Sequence, residues 1–566
     1  MPSIRQRTIG DGSALPSTLH PVLRRVYAGR GISTADELNQ ELARLQPPVS
    51  LLGIDAACDL LVDAIRHHRR IVIAGDYDAD GATAVAVAVL GLRALGASSV
   101  DYVVPNRFTM GYGLSPALVA LAIERGAELI ITVDNGIVSH AGVAAANAAG
   151  VPVLVTDHHL AGSELPPAAA IVNPNQPGCG FPSRHLAGVG VMFYVLLALR
   201  SRLRSEGAFA STREPNLAEL LDLVALGTVA DLVRLDRNNR ILVAQGLARI
   251  RSGRARPGLL ALLTAAGRTP DTVLSADLGF VLGPRLNAAG RLDDMRTGIE
   301  CLLTDSVEVA RRFAQSLDQL NRERRSIEAQ MRDEAIELVA GCGTSVGITL
   351  FDEHWHEGVV GLVASKVKDR QHRPVIAFAC AAEDGMLKGS GRSISGLHLR
   401  DALAAVDARA PGLIARYGGH AMAAGLSLQR SRLAEFSEHF DAVCRGLLDD
   451  EALEQVIETD GALAGAELSL ETARALEAGG PWGQGFPEPL FEGIFKVNEM
   501  RPIGATGTHV RYRLDVDGRF IDAVDFGGAE RAVSRGRIRL LYKLAVSRFR
   551  GPEALELRVE QLWPAE

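Results

Sequence analysis

Between Ile71 and Thr156 short apolar runs alternate with Ala-rich stretches of helical character. The runs are Ile71-Val72-Ile73-Ala74, Tyr102-Val103-Val104-Pro105, Leu129-Ile130-Ile131-Thr132-Val133 and Val151-Pro152-Val153-Leu154-Val155. Their spacing of ~20 to 30 residues suits βαβ units around a parallel sheet covered on both faces. The pattern predicts a doubly wound, mainly parallel α/β domain. Leu186 to Leu199 carries no charge over 14 residues, short of the ~20 that span a bilayer. It reads as a buried helix, in a chain with no membrane partner.

Farther along, Val309, Phe313, Leu317, Leu320, Ile327, Met331 and Leu338 recur at steps of three, four or seven among many charges. This spacing predicts one long amphipathic helix of ~45 Å, ended by Gly341-Cys342-Gly343 and acting as a strut between domains. A second, smaller α/β region follows from about Ser345 to Leu448. The tail changes to alternating runs at Phe491–Val497, His509–Val516, Phe520–Phe526, Arg539–Phe549 and Leu555–Leu562. Five such runs fit a small OB-type β-barrel. The expected division is an N-terminal helical extension over 1–50, a catalytic domain over 51–265, a helical connector over 266–340, the second α/β domain over 341–450 and the barrel over 451–566.

Composition narrows the class. A chain of 566 residues with 47% hydrophobic and 22% charged residues is neither disordered nor a small disulfide scaffold. Its net charge of -7, from 60 Lys+Arg and 67 Asp+Glu, excludes a nucleic-acid-coating polycation. Only 5 of the basic residues are Lys and 55 are Arg; with the abundant Ala this reads as the codon usage of a GC-rich genome, so Arg abundance is weak evidence for phosphate binding. Lys496 to Arg550 is different, with 12 basic against 6 acidic residues. That local reversal of sign predicts a polyanion-facing barrel, with Tyr512, Phe520 and Phe549 as stacking aromatics. Six scattered cysteines without CxxC spacing read as reduced core residues of a cytoplasmic protein, and Met1 to Ser13 lacks the apolar core of a secretory signal.

The chemistry concentrates where strands end. Gly75-Asp76-Tyr77-Asp78-Ala79-Asp80-Gly81 follows the first apolar run directly. In an extended segment alternate side chains point the same way, so three carboxylates share one side and repel by ~1 kcal/mol per pair at 4 Å in water. Helix capping accounts for one such Asp, and a bound dication for all three. Asp134 and Asp157-His158-His159 occupy the same place after two other runs, and ligands in open α/β sheets bind beyond those carboxyl ends. Asp231, set in the apolar run Leu221–Leu235, is a fourth candidate; a carboxylate in such surroundings calls for a cation or hydrogen-bond donor. His67-His68, on a charged helix end, is read as solvated. Many carboxylates with one or two imidazoles make a hard site suited to Mn²⁺ or Mg²⁺, and a shared carboxylate can bridge two ions for in-line attack on phosphorus. Phosphoester hydrolysis is the expected reaction.

Asp157-His158-His159, with Asp78-x-Asp80 and Asp134, resembles the DHH phosphoesterase superfamily. The longer strings Gly75 to Thr83, Pro105-Asn106-Arg107 with Gly111-Tyr112-Gly113-Leu114, Leu186 to Gly190 and Gly283-Pro284-Arg285-Leu286-Asn287-Ala288-Ala289-Gly290-Arg291 narrow the likeness to its single-stranded-DNA-specific exonucleases, over nearly the whole chain. The resemblance implies that Asp134 bridges two ions, with Asp76 and Asp78 toward one and Asp80, His158 and Asp231 toward the other. It implies that His159 faces the scissile phosphate, with Asp157 either a ligand or the partner that orients an imidazole.

The second α/β region resembles the accompanying DHHA1 domain. Its strings His354-Trp355-His356-Glu357-Gly358, Gly389-Ser390-Gly391-Arg392 and Tyr417-Gly418-Gly419-His420 mark His356, Ser390, Arg392, Gly418, Gly419 and His420 as substrate contacts, beside Arg107, Arg285 and Asn287. Arg107, Ser390 and Arg392 would hold a 5′-terminal phosphate, so that a single strand enclosed between the two domains is shortened from that end to 5′-mononucleotides, in DNA repair and recombination. Family habit adds single-stranded-DNA-binding protein and repair helicases as partners. Two rivals remain: a DHH phosphodiesterase of oligoribonucleotides or cyclic dinucleotides, and a non-catalytic scaffold like the replication protein Cdc45.

Overall fold

The computed structural model describes residues 2–107, 110–383, 385–549 and 551–565. The chain divides into two compact units, Gln6–Asp318 with Glu458–Glu566, and Met1–Arg5 with Gln319–Ile457.

The first unit contains the expected sheet: β1 (Ile71–Ala74), β2 (Val100–Val103), β3 (Leu129–Val133), β4 (Val153–Thr156) and a short β5 (Ala170–Val172). All pairings are parallel, in the order β2-β1-β3-β4-β5. β2 starts two residues earlier than the apolar run suggested, and ends before Pro105. β4 starts later, because Pro152 has no N–H to give the ladder; its carbonyl still accepts from Ile130 at 3.0 Å. The chain leaves β1 for β2 on one side and returns to β3 on the other. β1 and β3 therefore flank the switch point, where connections diverge and leave a crevice beyond the strand ends.

Helix α1 (Ala79–Ala94) is buried along almost its whole length. Its Ala, Val and Gly residues leave no polar face, and small side chains let neighbours come close: a β-carbon at Gly91 would meet Leu196 Cδ1 at 2.3 Å. On the opposite face of the sheet lie α2 (Pro116–Glu124) and α3 (His140–Ala148), whose Leu118, Val119, Val143 and Ala146 join Val72, Ile130 and Val153 in one core. Covering α1 are α4 (Gly188–Ser205), which takes in most of the uncharged run and extends past it through Arg200, Arg202 and Arg204, and α5 (Leu221–Ala230). The Leu221–Leu235 run is not helical throughout: Asp231 caps α5, and Leu232 turns into the left-handed region at φ 59°. A π-helical turn at Leu278–Leu282 leads into α6 (Gly283–Leu292). After a short helix at Arg296–Leu303 comes α7 (Val307–Ala340), the long helix, and the division between units falls within it.

The second unit builds its own sheet from β6 (Ile348–Phe351), β7 (Val375–Cys380), β8 (Met386–Arg392), β9 (Arg416–Gly419) and β10 (Ala423–Gln429), with α8 (Val360–Gln371) linking β6 to β7. The order is β9-β10-β8-β7-β6; only β6 and β7 run parallel. Phe378, Phe436 and Phe440 centre its core.

The tail, in the first unit, closes into a barrel of β11 (Phe491–Ile503), β12 (His509–Val516), β13 (Arg519–Asp525), β14 (Gly536–Ser547) and β15 (Ala554–Ala565), in the order β11-β12-β13-β15-β14. All five predicted runs become strands. The cysteines are all free, but Cys342 is half-buried and Cys380 exposed, against the expectation of six core residues; one follows a helix end and the other closes β7. Among the described residues no helix is long and apolar enough to cross a membrane.

Candidate active site

The carboxylates meet at the switch point. Asp78 is the N-cap of α1, and its Oδ1 accepts from Gly81 N–H at 3.0 Å. It is the one Asp that capping explains. Asp80, in the first turn of α1, accepts from Gly188 N–H at 2.6 Å and Val189 N–H at 2.9 Å, the free donors at the start of α4. Both carboxylates thus sit at helix N-termini, where the dipole favours a negative charge. Asp231 has the reverse placement at the C-terminus of α5, where that field opposes it. Asp134 follows β3 in a left-handed conformation at φ 62°, a costly state for a non-glycine residue of the kind found at functional sites. Asn135 beside it donates to Ala74 O at 3.1 Å and Val133 O at 2.9 Å, tying the ends of β1 and β3 together.

Ligand atoms of Asp76, Asp78 and Asp134 lie within 4.8 Å of one another, and so do those of Asp80, His158 and Asp231. His158 joins the groups, with Nε2 3.1 Å from Asp134 Oδ1, 3.5 Å from Asp231 Oδ2 and 4.0 Å from Asp80 Oδ2. Asp134, His158 and His159 form a third such set. Two of the central atoms, Asp134 Oδ1 and His158 Nε2, are buried yet lack a hydrogen-bond partner. Five carboxylates and an imidazole with such orphaned atoms fit hard divalent cations. Burial and the charge of Asp231 push Asp80 up to about 7, and burial with Asp78 pushes Asp231 up to about 8. Burial and neighbouring carboxylates also raise Asp134 and Asp76 well above the usual range. A cation relieves both causes.

Asp157 is differently employed. Its Oδ1 accepts from His158 N–H at 2.7 Å and His159 N–H at 3.1 Å and lies 2.8 Å from His159 Nδ1, while Oδ2 accepts from Ile137 N–H at 2.9 Å. These contacts occupy the carboxylate and fix the His159 ring. Burial alone would lower the His159 pKa, but the Asp157 hydrogen bond and charge raise it to about 9. Tyr112 Oη stands 3.3 Å from the same ring and 3.2 Å from the Asp134 carbonyl oxygen.

Comparison with known proteins agrees with this geometry. The DHH family, N-terminal domain model matches residues 70–228, the DHHA1 domain model 343–446 and the RecJ OB domain model 459–561. The single-stranded-DNA-specific exonuclease RecJ of Salmonella typhimurium is 50% identical over 99% of both chains, and that of Escherichia coli 49% over the same shares. The chain belongs to the RecJ family. The crystal structure of Thermus thermophilus RecJ in complex with Mn²⁺ superposes with a TM-score of 0.82 at 30% identity, covering 100% of this chain and 80% of that one.

Other residues expected from the RecJ likeness fall into distinct settings. Arg107 lies over the Tyr77 ring at 4.2 Å, and Tyr77 packs edge-on against Tyr112 at 6.2 Å. Arg107, Tyr77, Tyr112 and His159 form one string at the mouth of the cluster. Tyr77 and Tyr112 lie within the strings that carry the likeness and Asn135 follows Asp134, but nothing in the sequence tells that their side chains converge. Arg285 gives Nη2 to Asp318 at 2.8 Å and Nη1 to Val281 O at 2.7 Å, so its fork already braces α6 against α7. Asn287 Oδ1 accepts from Ala79 N–H at 2.8 Å, tying α6 to the start of α1 beside Asp78.

In the second unit, His356 Nδ1 accepts from Gly358 N–H at 3.0 Å just before α8. Arg392 Nη1 donates to Ser390 Oγ at 3.2 Å, and a β-carbon at Gly361 would sit 2.7 Å from that oxygen. These residues gather at the N-terminus of α8, an arrangement suited to phosphate. Gly418 and Gly419 lie in β9, and His420 N–H donates to Ala423 O at 2.7 Å across the turn into β10. On the barrel, Arg501, Arg511, Arg513 and Phe520 line a groove of about 730 Å³, with the Arg513 guanidinium 4.9 Å from the Phe520 ring centre. Phe549 is exposed; Tyr512 is fully buried in the barrel core and is no stacking surface.

Proposed function

We propose that the protein is a metal-dependent 5′→3′ exonuclease that degrades single-stranded DNA to 5′-mononucleotides by phosphodiester hydrolysis. The observation that carries this reading is the pair of ligand sets meeting at Asp134 and His158, in a chain whose RecJ relatives match end to end. Asp76, Asp78 and Asp134 hold one Mn²⁺ or Mg²⁺ ion; Asp80, His158 and Asp231 hold a second. When bound, such ions supply positive charge to the phosphoryl oxygens and acidify water. His159, held by Asp157, is poised to stabilise charge on the phosphate or to deliver a proton. Arg107, backed by the Tyr77 face, offers a planar fork to a phosphate. Ser390 and Arg392 are assigned a phosphate grip, with His356, Gly418, Gly419 and His420 as further substrate contacts. The barrel groove binds the strand by charge and stacking.

The direction of digestion and the place in repair and recombination follow from the family. Single-stranded-DNA-binding protein and repair helicases are its expected protein partners, and the cytoplasm its compartment. The domain limits at 50, 265, 340 and 450 are the boundaries we assign. The basic barrel weighs against a dinucleotide phosphodiesterase, and the complete ligand set against a scaffold.

The test uses 5′- and 3′-labelled single- and double-stranded DNA with Mn²⁺, Mg²⁺ or EDTA, alongside Asp134→Ala. Mononucleotides should leave the 5′ end of single strands only, and both EDTA and the substitution should abolish them. Cleavage that survives chelation would overturn the reading.

A further inference from the structure

Two large apolar side chains stand in solvent near the end of α5 that carries Asp231. Leu232 is 61% exposed and peptide-bonded to Asp231; Phe280 is 76% exposed on the π-helical turn. Isolated exposed hydrophobics are ordinary. These two differ in being presented by uncommon backbones: Leu232 by a left-handed conformation rare for a bulky residue, Phe280 by a π-turn of the kind that recurs at functional sites. The turn packs on the end of α5, since a β-carbon at Gly279 would lie 3.2 Å from Val229 Cγ1 and one at Gly283 3.1 Å from Ala230 Cβ. Strain and exposure together gain the fold nothing.

Leu232 and Phe280 line one cavity of about 520 Å³ within the first unit, and its far wall is formed by β14 and β15 of the barrel, including Leu544 and Arg558. Arg558 is exposed, and the lining also holds Arg251 and Lys543 against Glu477 and Glu488. The cavity thus joins an apolar surface one residue from Asp231 to a charged lining in which basic side chains are in excess. A nucleotide has that chemistry, a flat apolar face with an anionic phosphate beside it. A duplex hides its base faces; a single strand exposes them.

We infer that Phe280 and Leu232 form a platform that stacks a nucleobase of the strand next to the metal cluster, and thereby help to select single strands. This rests on the nuclease reading above. Stacking of one base is worth a factor of about 5 to 150.

The experiment compares wild type, Phe280→Ala, Phe280→Trp and Leu232→Asn, the last chosen because Asn tolerates the left-handed backbone. Substrates are a thymidine oligonucleotide and the same oligonucleotide with abasic residues near its 5′ end, and Mn²⁺ binding is measured in parallel. Phe280→Ala should lose about 5- to 150-fold in kcat/KM on the thymidine strand, mainly through KM. Phe280→Trp should retain wild-type rates, Leu232→Asn should lose less than Phe280→Ala, and on the abasic strand all four should converge. Equal losses on both substrates, unchanged kinetics for Phe280→Ala, or weakened Mn²⁺ binding would overturn the platform while leaving the nuclease reading intact. A wild-type protein without single-strand nuclease activity would overturn both.

Discussion

A β-carbon built on Gly188 would come within 2.5 Å of the Asp134 β-carbon. Glycine is needed at the start of α4 because its backbone must serve Asp80 while making room for Asp134, the member of one ligand set that lies 3.1 Å from His158 of the other. Gly188→Ala should therefore shift Asp134 and lower kcat by about 100-fold, as ångström-scale misplacements do. The stability cost should stay near the ~1 to 3 kcal/mol of an overpacked site. Steady-state kinetics and thermal unfolding check this; an active Gly188→Ala enzyme would mean that Asp134 can move without harm.

Asp157 acts through His159. Asp157→Asn keeps the shape but removes the charge and leaves His159 free to turn. The expected result is a fall in kcat of about 10² to 10⁴, the range for a lost proton-transfer group, with Mn²⁺ affinity retained. Calorimetric Mn²⁺ titration separates the two; a large loss of metal affinity would make Asp157 a ligand.

Much of this was legible in the sequence because strand runs and the residues after them are local patterns. Ile71–Ala74, Leu129–Val133 and His509–Val516 begin and end where the apolar pattern does. The strand order was not legible, nor was the convergence of Asp80 with Gly188 over a separation of 108 residues. Tyr512 illustrates the limit from the other side. Residue type suggested a stacking surface, but its core position is a tertiary fact. The π-turn that displays Phe280 leaves no periodic signature at all.

Asp231 faces the unfavourable end of α5 among like charges. Without metal and above pH 8, where Asp231 is charged, Asp231→Asn should be more stable than wild type by about 0.3 to 1 kcal/mol. With Mn²⁺ at a hundred times its dissociation constant the wild type should gain about 2.7 kcal/mol, and the variant much less. Unfolding scans with Mn²⁺ or EDTA check both signs; a metal-free variant less stable than wild type would remove the repulsion argument.

On the barrel, Phe520 is 47% exposed beneath Arg513. Phe520→Ala should weaken binding of long oligonucleotides by about 1 to 3 kcal/mol, leave very short ones unaffected and preserve kcat. Arg513→Ala should flatten the salt dependence of binding by about one unit of slope. Fluorescence anisotropy at several salt concentrations measures both, and equal losses for short and long strands would move the effect away from the barrel.

The most direct test of the account is anomalous scattering from crystals grown with Mn²⁺. Two manganese peaks are predicted, one among Asp76, Asp78 and Asp134 and the other among Asp80, His158 and Asp231. Manganese absent from these carboxylates, or bound elsewhere in a nucleolytically active protein, would contradict it.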